Sequence, residues 1–145
     1  MTFTYSADQH FLIIGGFPIT GFQDGSEVTI TIDENVMTRQ VDNDGRGVTF
    51  NRTNNKMATI TFTLNEGGAG NDFLSGMYQA FQNGLPGGVL PVYFKDNNGR
   101  SIFASTSCTV ETLPSLGGGR ESSGREWVLG TGQSEIFIGG AEAVA

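Results

Sequence analysis

Cysteine, histidine and basic side chains are scarce in this sequence, and each scarcity excludes a class of protein. The single cysteine, Cys108, excludes an internal disulfide. Together with the single histidine, His10, it also excludes a zinc site built from cysteine and histidine ligands. Eight lysines and arginines against fifteen acidic residues give a net charge of −7, the wrong sign for tight phosphate binding. We therefore expect no cofactor, no metal and no tightly bound nucleic acid.

Long apolar runs are missing as well. No segment approaches the roughly 20 residues of a membrane-spanning helix, so we expect no membrane span. Residues 1–9 have no basic stretch followed by an apolar one, as a secretion signal would. The sequence thus predicts a soluble protein of the cytosol. Its length of 145 residues fits one domain, which we expect to occupy residues 1–145.

Glycine and phenylalanine, by contrast, are abundant. The chain has 22 glycines and 11 phenylalanines with only 4 prolines, which is typical of many short strands and tight turns. Charged residues make up 16% of the chain, whereas about 25% is ordinary for a globular protein. We infer that part of the surface is covered by something.

Hydrophobic alternation predicts strands in the first half of the chain. Two apolar runs around Gly15-Gly16 indicate a hairpin, and Pro18 would place its second arm at a sheet edge. Residues 27–33 and 57–64 also alternate, with threonines on one face of each, and these two strands are expected to pair.

One helix is predicted, over 71–83, with Asn71 or Asp72 as its cap and Asn83-Gly84 as its end. Its predicted packing face consists of Phe73, Leu74, Met77, Tyr78 and Phe81.

The second half is predicted to form strands at 89–95, 101–112, 126–129 and 134–138. Strict alternation along 101–112 would place residues 102, 104, 106, 108 and 110 on one face. Cys108 is then most simply a small buried residue, and a reactive thiol is the alternative.

Two polar segments interrupt these elements. The longer, residues 34–56, has a turn signal at Asp42-Asn43-Asp44-Gly45 and residual strand character on either side. We interpret it as a long projecting loop or hairpin, and a disordered surface segment is the alternative. The second is a glycine- and serine-rich loop at 113–124.

No catalytic motif is recognisable, so we expect no enzymatic activity. His10 has no nucleophile elbow to serve, and Gly67-Gly68-Ala69-Gly70 is followed by Asn71-Asp72 instead of the lysine of a phosphate-binding loop. Asp42-Asn43-Asp44-Gly45 lacks the later glutamate of a calcium loop. A chain of this kind acts through its surface, and its two lysines do little to protect sheet edges from pairing.

The order of these elements resembles the tail tube proteins of tailed bacteriophages, particularly those of contractile tails, which are similar to the Hcp ring proteins of type VI secretion. The resemblance rests on the strand pair around Gly15-Gly16, the entry Ile19-Thr20-Gly21-Phe22, the long polar hairpin, the strand Ala58–Leu64 and the single helix.

This resemblance implies a mainly β fold, an antiparallel β-sandwich or barrel with one flanking helix. It also implies that six copies close into a ring and that rings stack into the inner tail tube, the conduit for DNA ejection. Contacts between rings would come from 34–56, from Thr2–Gln9 and from 113–124. The candidate contact residues in the first of these are Arg39, Asp42, Asn43, Asp44, Arg46 and Arg52.

The implied partners are further copies of the chain, together with sheath, baseplate and tape-measure proteins, in a virion tail assembled in the host cytoplasm. DNA would be passing cargo, and the acidic chain would not hold it. The threonine faces could line the lumen or lie outside. Alternatives are the tube of a related secretion or bacteriocin machine, a monomeric β-sandwich binding module, and a small hydrolase.

Overall fold

A computed structural model describes residues 10–20, 28–65, 69–96, 101–116 and 124–139. Several sequence predictions lie outside these residues. They are the arm Thr2–Gln9, the second half of the entry segment (residues 21–22), residue 27 of the predicted strand 27–33, the glycines 67 and 68, and the centre of the 113–124 loop.

Ten strands and one helix form the described part of the chain. They are β1 (His10–Ile14), β2 (Phe17–Pro18), β3 (Thr29–Ile32), β4 (Met37–Val41), β5 (Val48–Arg52), β6 (Ala58–Asn65), α1 (Ala69–Gln82), β7 (Leu90–Asp96), β8 (Ile102–Thr112), β9 (Gly124–Thr131) and β10 (Ser134–Phe137). The fold is therefore mainly β with one flanking helix, as predicted.

Eight strands belong to one antiparallel sheet in the order β2-β1-β7-β8-β9-β6-β3, with β10 also paired to β8. Its inner side carries one core, to which strands from both ends of the order contribute, for example Leu12 and Ile60. The sheet thus curls around a single apolar interior that α1 also covers. β4 and β5 form a separate two-stranded sheet.

The first hairpin follows the prediction. Gly15 and Gly16 have φ of 59° and 86°, the left-handed region that glycine occupies without steric cost. A Cβ on Gly15 would also lie 2.8 Å from Leu90 Cδ1, so the position needs glycine twice over. β2 lies at the sheet edge, where the missing N–H of Pro18 costs no ladder bond.

Strand β6 alternates as its sequence predicts. Ala58, Ile60, Phe62 and Leu64 are buried, while the threonines between them face outward. β3 pairs with β6 antiparallel, as expected, with Thr29 opposite Thr61 and Thr31 opposite Thr59.

Strand β8 corrects the prediction of strict alternation. Phe103 and Ser105 are buried in its first part but Cys108 and Val110 in its second, so the buried face changes between 105 and 108. The cause is an irregularity: Val92 pairs with Ser105 and Leu90 with Cys108, so β8 contains one extra residue there. The Oγ of Ser105 stabilises the site, 3.1 Å from the Ser107 carbonyl oxygen and 3.0 Å from that of Gln133.

The helix begins earlier than predicted. α1 starts at Ala69, so Asn71 lies inside it and is not a cap. Asn71 instead joins the helix to the sheet, because Trp127 Nε1 donates a 2.8 Å hydrogen bond to its Oδ1 and its Nδ2 donates to the Asn65 carbonyl. This clamp explains why a buried amide is tolerated at 7% exposure.

The predicted end of the helix is confirmed. Gly84, with φ of 67°, donates to the Phe81 carbonyl, and Leu85 donates to that of Ala80, the pair of bonds that closes a Schellman motif. On the packing face, Leu74 and Met77 are buried and Phe73 and Tyr78 pack against the core. Phe81 departs from this face: it is 48% exposed, beyond the last turn that the core covers.

Candidate interaction surfaces

The segment 34–56 forms a hairpin that stands apart from the main sheet. β4 and β5, which we call the ribbon, pair from Met37 opposite Arg52 to Val41 opposite Val48. All ten ribbon residues are exposed, so neither face is covered by the rest of the described chain. A two-stranded sheet is marginal by itself in water, which makes the ribbon an element that needs a partner.

The two faces of the ribbon differ in chemistry. Directly paired residues point to the same side of a sheet. One face therefore carries Met37, Arg39, Val41, Val48, Phe50 and Arg52, and the other carries Thr38, Gln40, Thr49 and Asn51. The first face is apolar with two guanidinium groups, and Phe50 is 66% exposed on it.

The ribbon tip is a tight turn held by backbone N–H groups that donate to the side chain of Asp44 and to the backbone of Asp42. The Arg46 N–H donates to Asp44 Oδ1 at 3.0 Å, and the Gly45 N–H donates to the Asp42 carbonyl at 2.8 Å. A Cβ on Gly47 would collide with the Asp42 carboxylate. Asp42 and Asp44 thus shape the turn that presents Asn43 and Arg46.

Of the predicted contact residues, the structure brings Arg39 and Arg52 together on the apolar ribbon face and places Asp42, Asn43, Asp44 and Arg46 at the tip. Sequence reasoning missed the apolar residues between them. The signal was present, because M-T-R-Q-V and V-T-F-N-R both alternate, but an arginine at an apolar position disguises each pattern.

The segment 37–56, which contains the ribbon, is basic, although the chain is acidic. Half of the eight basic residues lie in 37–56, namely Arg39, Arg46, Arg52 and Lys56, against only two carboxylates. The rest of the chain therefore carries more than the whole net charge of −7.

The base of the ribbon is tied to β10. Ser134 Oγ donates to the Lys56 carbonyl at 2.6 Å, and the Lys56 N–H donates to Gln133 Oε1 at 2.9 Å. The Lys56 ammonium and the Glu135 carboxylate are 4.0 Å apart, and both side chains are largely exposed. Such a pair contributes at most about 1 kcal/mol, so the backbone contacts orient the ribbon.

The outer side of β3 and β6 is a face of threonines, which we call the threonine face: Thr29, Thr31, Thr59, Thr61 and Thr63. It continues onto β9, where Val128 and Glu126 lie opposite Thr61 and Thr63. Thr59 Oγ1 donates to Asp33 Oδ1 at 2.6 Å at one end. Its ionisable groups among the residues named here are carboxylates.

The outer side of β1, β7, β8 and β10 is apolar instead. Cross-strand pairing aligns Phe11, Lys95, Ile102 and Phe137 in one row and Ile13, Tyr93, Ala104 and Glu135 in the next. We call these two rows the apolar strip. Phe11 is 48% exposed, Ile102 38% and Phe137 58%. A contiguous patch of this kind on a protein surface usually marks an interaction site.

Cys108 is buried, as predicted, and burial raises the pKa of its thiol to about 12. The group is therefore neutral at physiological pH and a poor nucleophile. Within the described residues, no group of three or more possible ligands lies close enough to hold a metal ion. In the same residues, no helix has the length and apolar character needed to cross a membrane.

Comparison with known proteins begins with sequence. No protein-family model matches the chain. The structural protein ORF10 of Pseudomonas phage KPP10 is 24% identical over 152 aligned positions, which cover 99% of this chain and 87% of that protein.

The solved structures that resemble this chain include the following three. The cap that terminates the tube of the anti-feeding prophage aligns with a TM-score of 0.58 at 11% identity, over 94% of this chain and 93% of its own. Two chains come from PVC, an extracellular contractile injection system, in its extended state. The chain from its sheath/tube terminator aligns with a TM-score of 0.61 at 12% identity, over 94% of this chain and 99% of its own. The chain from its sheath-tube complex aligns with a TM-score of 0.61 at 12% identity, over 92% of this chain and 91% of its own. This chain shares their fold.

Proposed function

We propose that this chain is a structural, non-enzymatic component of the tail of a phage or of a related contractile injection machine. In this role, copies close into rings, of six by the resemblance noted above, and the rings stack into the inner tube. The observation that carries the proposal is the ribbon, an exposed two-stranded sheet with one apolar face on a body whose fold occurs in sheath-tube assemblies.

The ribbon supports stacking because it projects from the body and both of its faces are exposed among the described residues. Its apolar face would be costly to leave in water, and burial of each exposed Val or Phe contributes about 1.5–3 kcal/mol. The arginines on the same face and the acidic remainder of the chain favour contact with another copy. Sheath, baseplate and tape-measure proteins are the further partners of this role, with the virion tail as its location.

The threonine face supports the role of conduit. Thr29, Thr31, Thr59, Thr61 and Thr63 are uncharged, and Glu126 and Asp33 at its margins are acidic. DNA carries about one negative charge per 1.7 Å of axis, so a wall of this composition offers no cation to hold it. We assign this face to the lumen, with DNA as passing cargo.

Electron microscopy of the purified chain in negative stain tests the proposal. We expect rings or hollow tubes. Replacing residues 38–51 with a short turn should leave a folded protein that no longer stacks. The matched control is Thr38→Ser with Thr49→Ser, which alters only the polar ribbon face and should leave stacking intact. Uniform monomers of the unmodified chain at high concentration would contradict the proposal and favour a binding module.

A second role, tube terminator, is favoured by a specific observation: the similar structures include a tube cap and a sheath/tube terminator. A terminator closes the end of a tube and does not repeat along it. Purified chain that stays as single rings at all concentrations would support this role, and long tubes would exclude it.

A further inference from the structure

The apolar strip on the outer side of β1, β7, β8 and β10 has no covering element among the described residues. It is a four-strand surface on which Phe11, Ile102 and Phe137 are exposed in one aligned row, with Lys95 between the first two. The helix does not serve as a cover, because its apolar residues Leu74 and Met77 belong to the inner core.

The ribbon is the counterpart with matching chemistry. Its apolar face and the strip are both exposed in the described chain, and each is made of directly paired strand residues. The ribbon cannot cover its own strip in the described conformation, since all its residues are exposed. The partner ribbon must come from another molecule.

The dimensions agree as well. Five residues of a strand span about 14 Å at 3.4 Å per residue, and four strands spaced 4.8 Å apart also span about 14 Å. A ribbon laid across the four strands would therefore cover the strip from edge to edge. Two sheets packed face to face in this crossed manner lie about 10 Å apart, with their side chains interdigitated.

The overall charge of the chain favours the same pairing. Arg39 and Arg52 lie on the apolar ribbon face, while the strip itself carries one base, Lys95, and one acid, Glu135, whose side chain is 88% exposed. Beyond the strip, the body outside 37–56 is strongly acidic. A basic ribbon is thus drawn to the body of a second copy and repelled by a second ribbon.

We propose that the apolar strip is the docking surface for the ribbon of a second copy of this chain, seated on Phe11, Tyr93, Ile102 and Phe137. The proposal rests on the self-assembly put forward above and names the acceptor surface for it. Contact of this kind is head-to-tail: every copy offers one ribbon and one strip, so association continues until it closes or forms a filament.

A complementation experiment tests it. Phe50→Asp disables the ribbon and keeps the strip, and Ile102→Asp disables the strip and keeps the ribbon. Each variant alone should lose the self-association of the unmodified chain. Mixed in equal amounts, they should recover it in part as heterodimers, because one intact ribbon meets one intact strip. Sedimentation velocity measures the recovery, and no recovery on mixing would overturn the proposal.

Cysteine cross-linking provides the second measurement, since Cys108 is buried and contributes no reactive thiol. Oxidation of mixed Phe50→Cys and Ile102→Cys chains should give a covalent dimer. The ribbon control is Thr49→Cys, on the polar ribbon face, which should not cross-link to Ile102→Cys. The acceptor control is Thr61→Cys, on the threonine face, which should not cross-link to Phe50→Cys. Tubes that form while Phe50→Cys links to Thr61→Cys would overturn the docking surface and leave the proposed function standing. Absence of any assembly by the unmodified chain would overturn both.

Discussion

The two outer sides of the curled sheet are both formed by antiparallel strands, but one side carries polar side chains and the other carries mainly apolar ones. On β3 and β6 every outward position named above is a threonine, whereas on β1, β7, β8 and β10 the outward positions are largely apolar or aromatic. Both halves bury similar residues on the inside. The difference therefore cannot serve the core, and it indicates that the two sides meet different surroundings.

The inner sides of the two halves should contribute similarly to the free energy of unfolding. Removal of a core aromatic side chain from either half tests this, and it is the largest effect that we predict. Phe62 lies under the threonine face and Phe103 under the apolar strip, and each is 1% exposed. We expect Phe62→Ala and Phe103→Ala each to lower the free energy of unfolding by about 3–5 kcal/mol, measured by urea denaturation. If either variant fails to fold, the Phe→Leu pair gives the same comparison with smaller losses. A large loss in one half only would contradict a shared core.

The irregularity of β8 at 105–108 lies where β8 pairs with β7, in the apolar half, and we expect its supporting hydroxyl to matter more than an outer threonine. Ser105→Ala removes the Oγ that contacts Ser107 and Gln133, and we expect a loss of about 1–2 kcal/mol in unfolding free energy. Thr61→Ala is the control and should stay within about 0.5 kcal/mol of the unmodified chain. Equal losses would mean that the hydroxyl does not stabilise the irregularity.

An introduced carboxylate on each outer face should distinguish the two sides through its effect on self-association, with little effect on the free energy of unfolding. Ile102→Asp should weaken self-association at least about tenfold, or 1.4 kcal/mol, since a carboxylate would be buried in the contact. Thr61→Asp should leave association unchanged, because we assign its face to a water-filled lumen. Analytical ultracentrifugation measures both, and matching unfolding midpoints would show that neither change acts through the fold. Loss of association in Thr61→Asp would contradict the proposal, because it would place the contact on the threonine face instead of the apolar strip.

At neutral pH the smallest effect is expected from ionisation of Cys108, where β8 passes between β7 and β9. The folded chain holds the thiol pKa at about 12, above the ordinary 9.0, so folding favours the neutral form. Its contribution to stability is complete below pH 9 and falls as pH rises from 9 to 12. Relative to Cys108→Ala, the unmodified chain should lose stability over that range. A thiol reagent at pH 8 should react only on unfolding, and rapid reaction of the native chain would contradict this.

Most elements of the fold could be predicted because their hydrophobic period is regular. β6 alternates without a break, and Gly15-Gly16 and Gly84 sit where only left-handed backbone closes a turn. β8 could not be predicted in full, because the extra residue between 105 and 108 depends on the register with β7, and a second irregularity between 110 and 112 depends on the register with β9. Asn71 looked like a cap because its tertiary partner, Trp127, is 56 residues away in sequence.

The interaction surfaces were only half predictable. The projecting hairpin follows from length, polarity and a turn signal, and its boundaries were close to those observed. The apolar strip was out of reach, since its rows join Phe11, Ile102 and Phe137 from three strands whose order in the sheet is not sequential. Only cross-strand register shows that these residues are neighbours.

The hydrogen bond between Trp127 and Asn71 makes the molecule its own optical probe. Trp127 is the only tryptophan, it is 2% exposed, and its indole N–H is held by the helix. Its fluorescence emission therefore reports whether the helix is packed on the sheet, and we expect the emission to stay unchanged when a partner binds to either outer face. Fluorescence can follow folding while scattering follows assembly, in one cuvette and without a label.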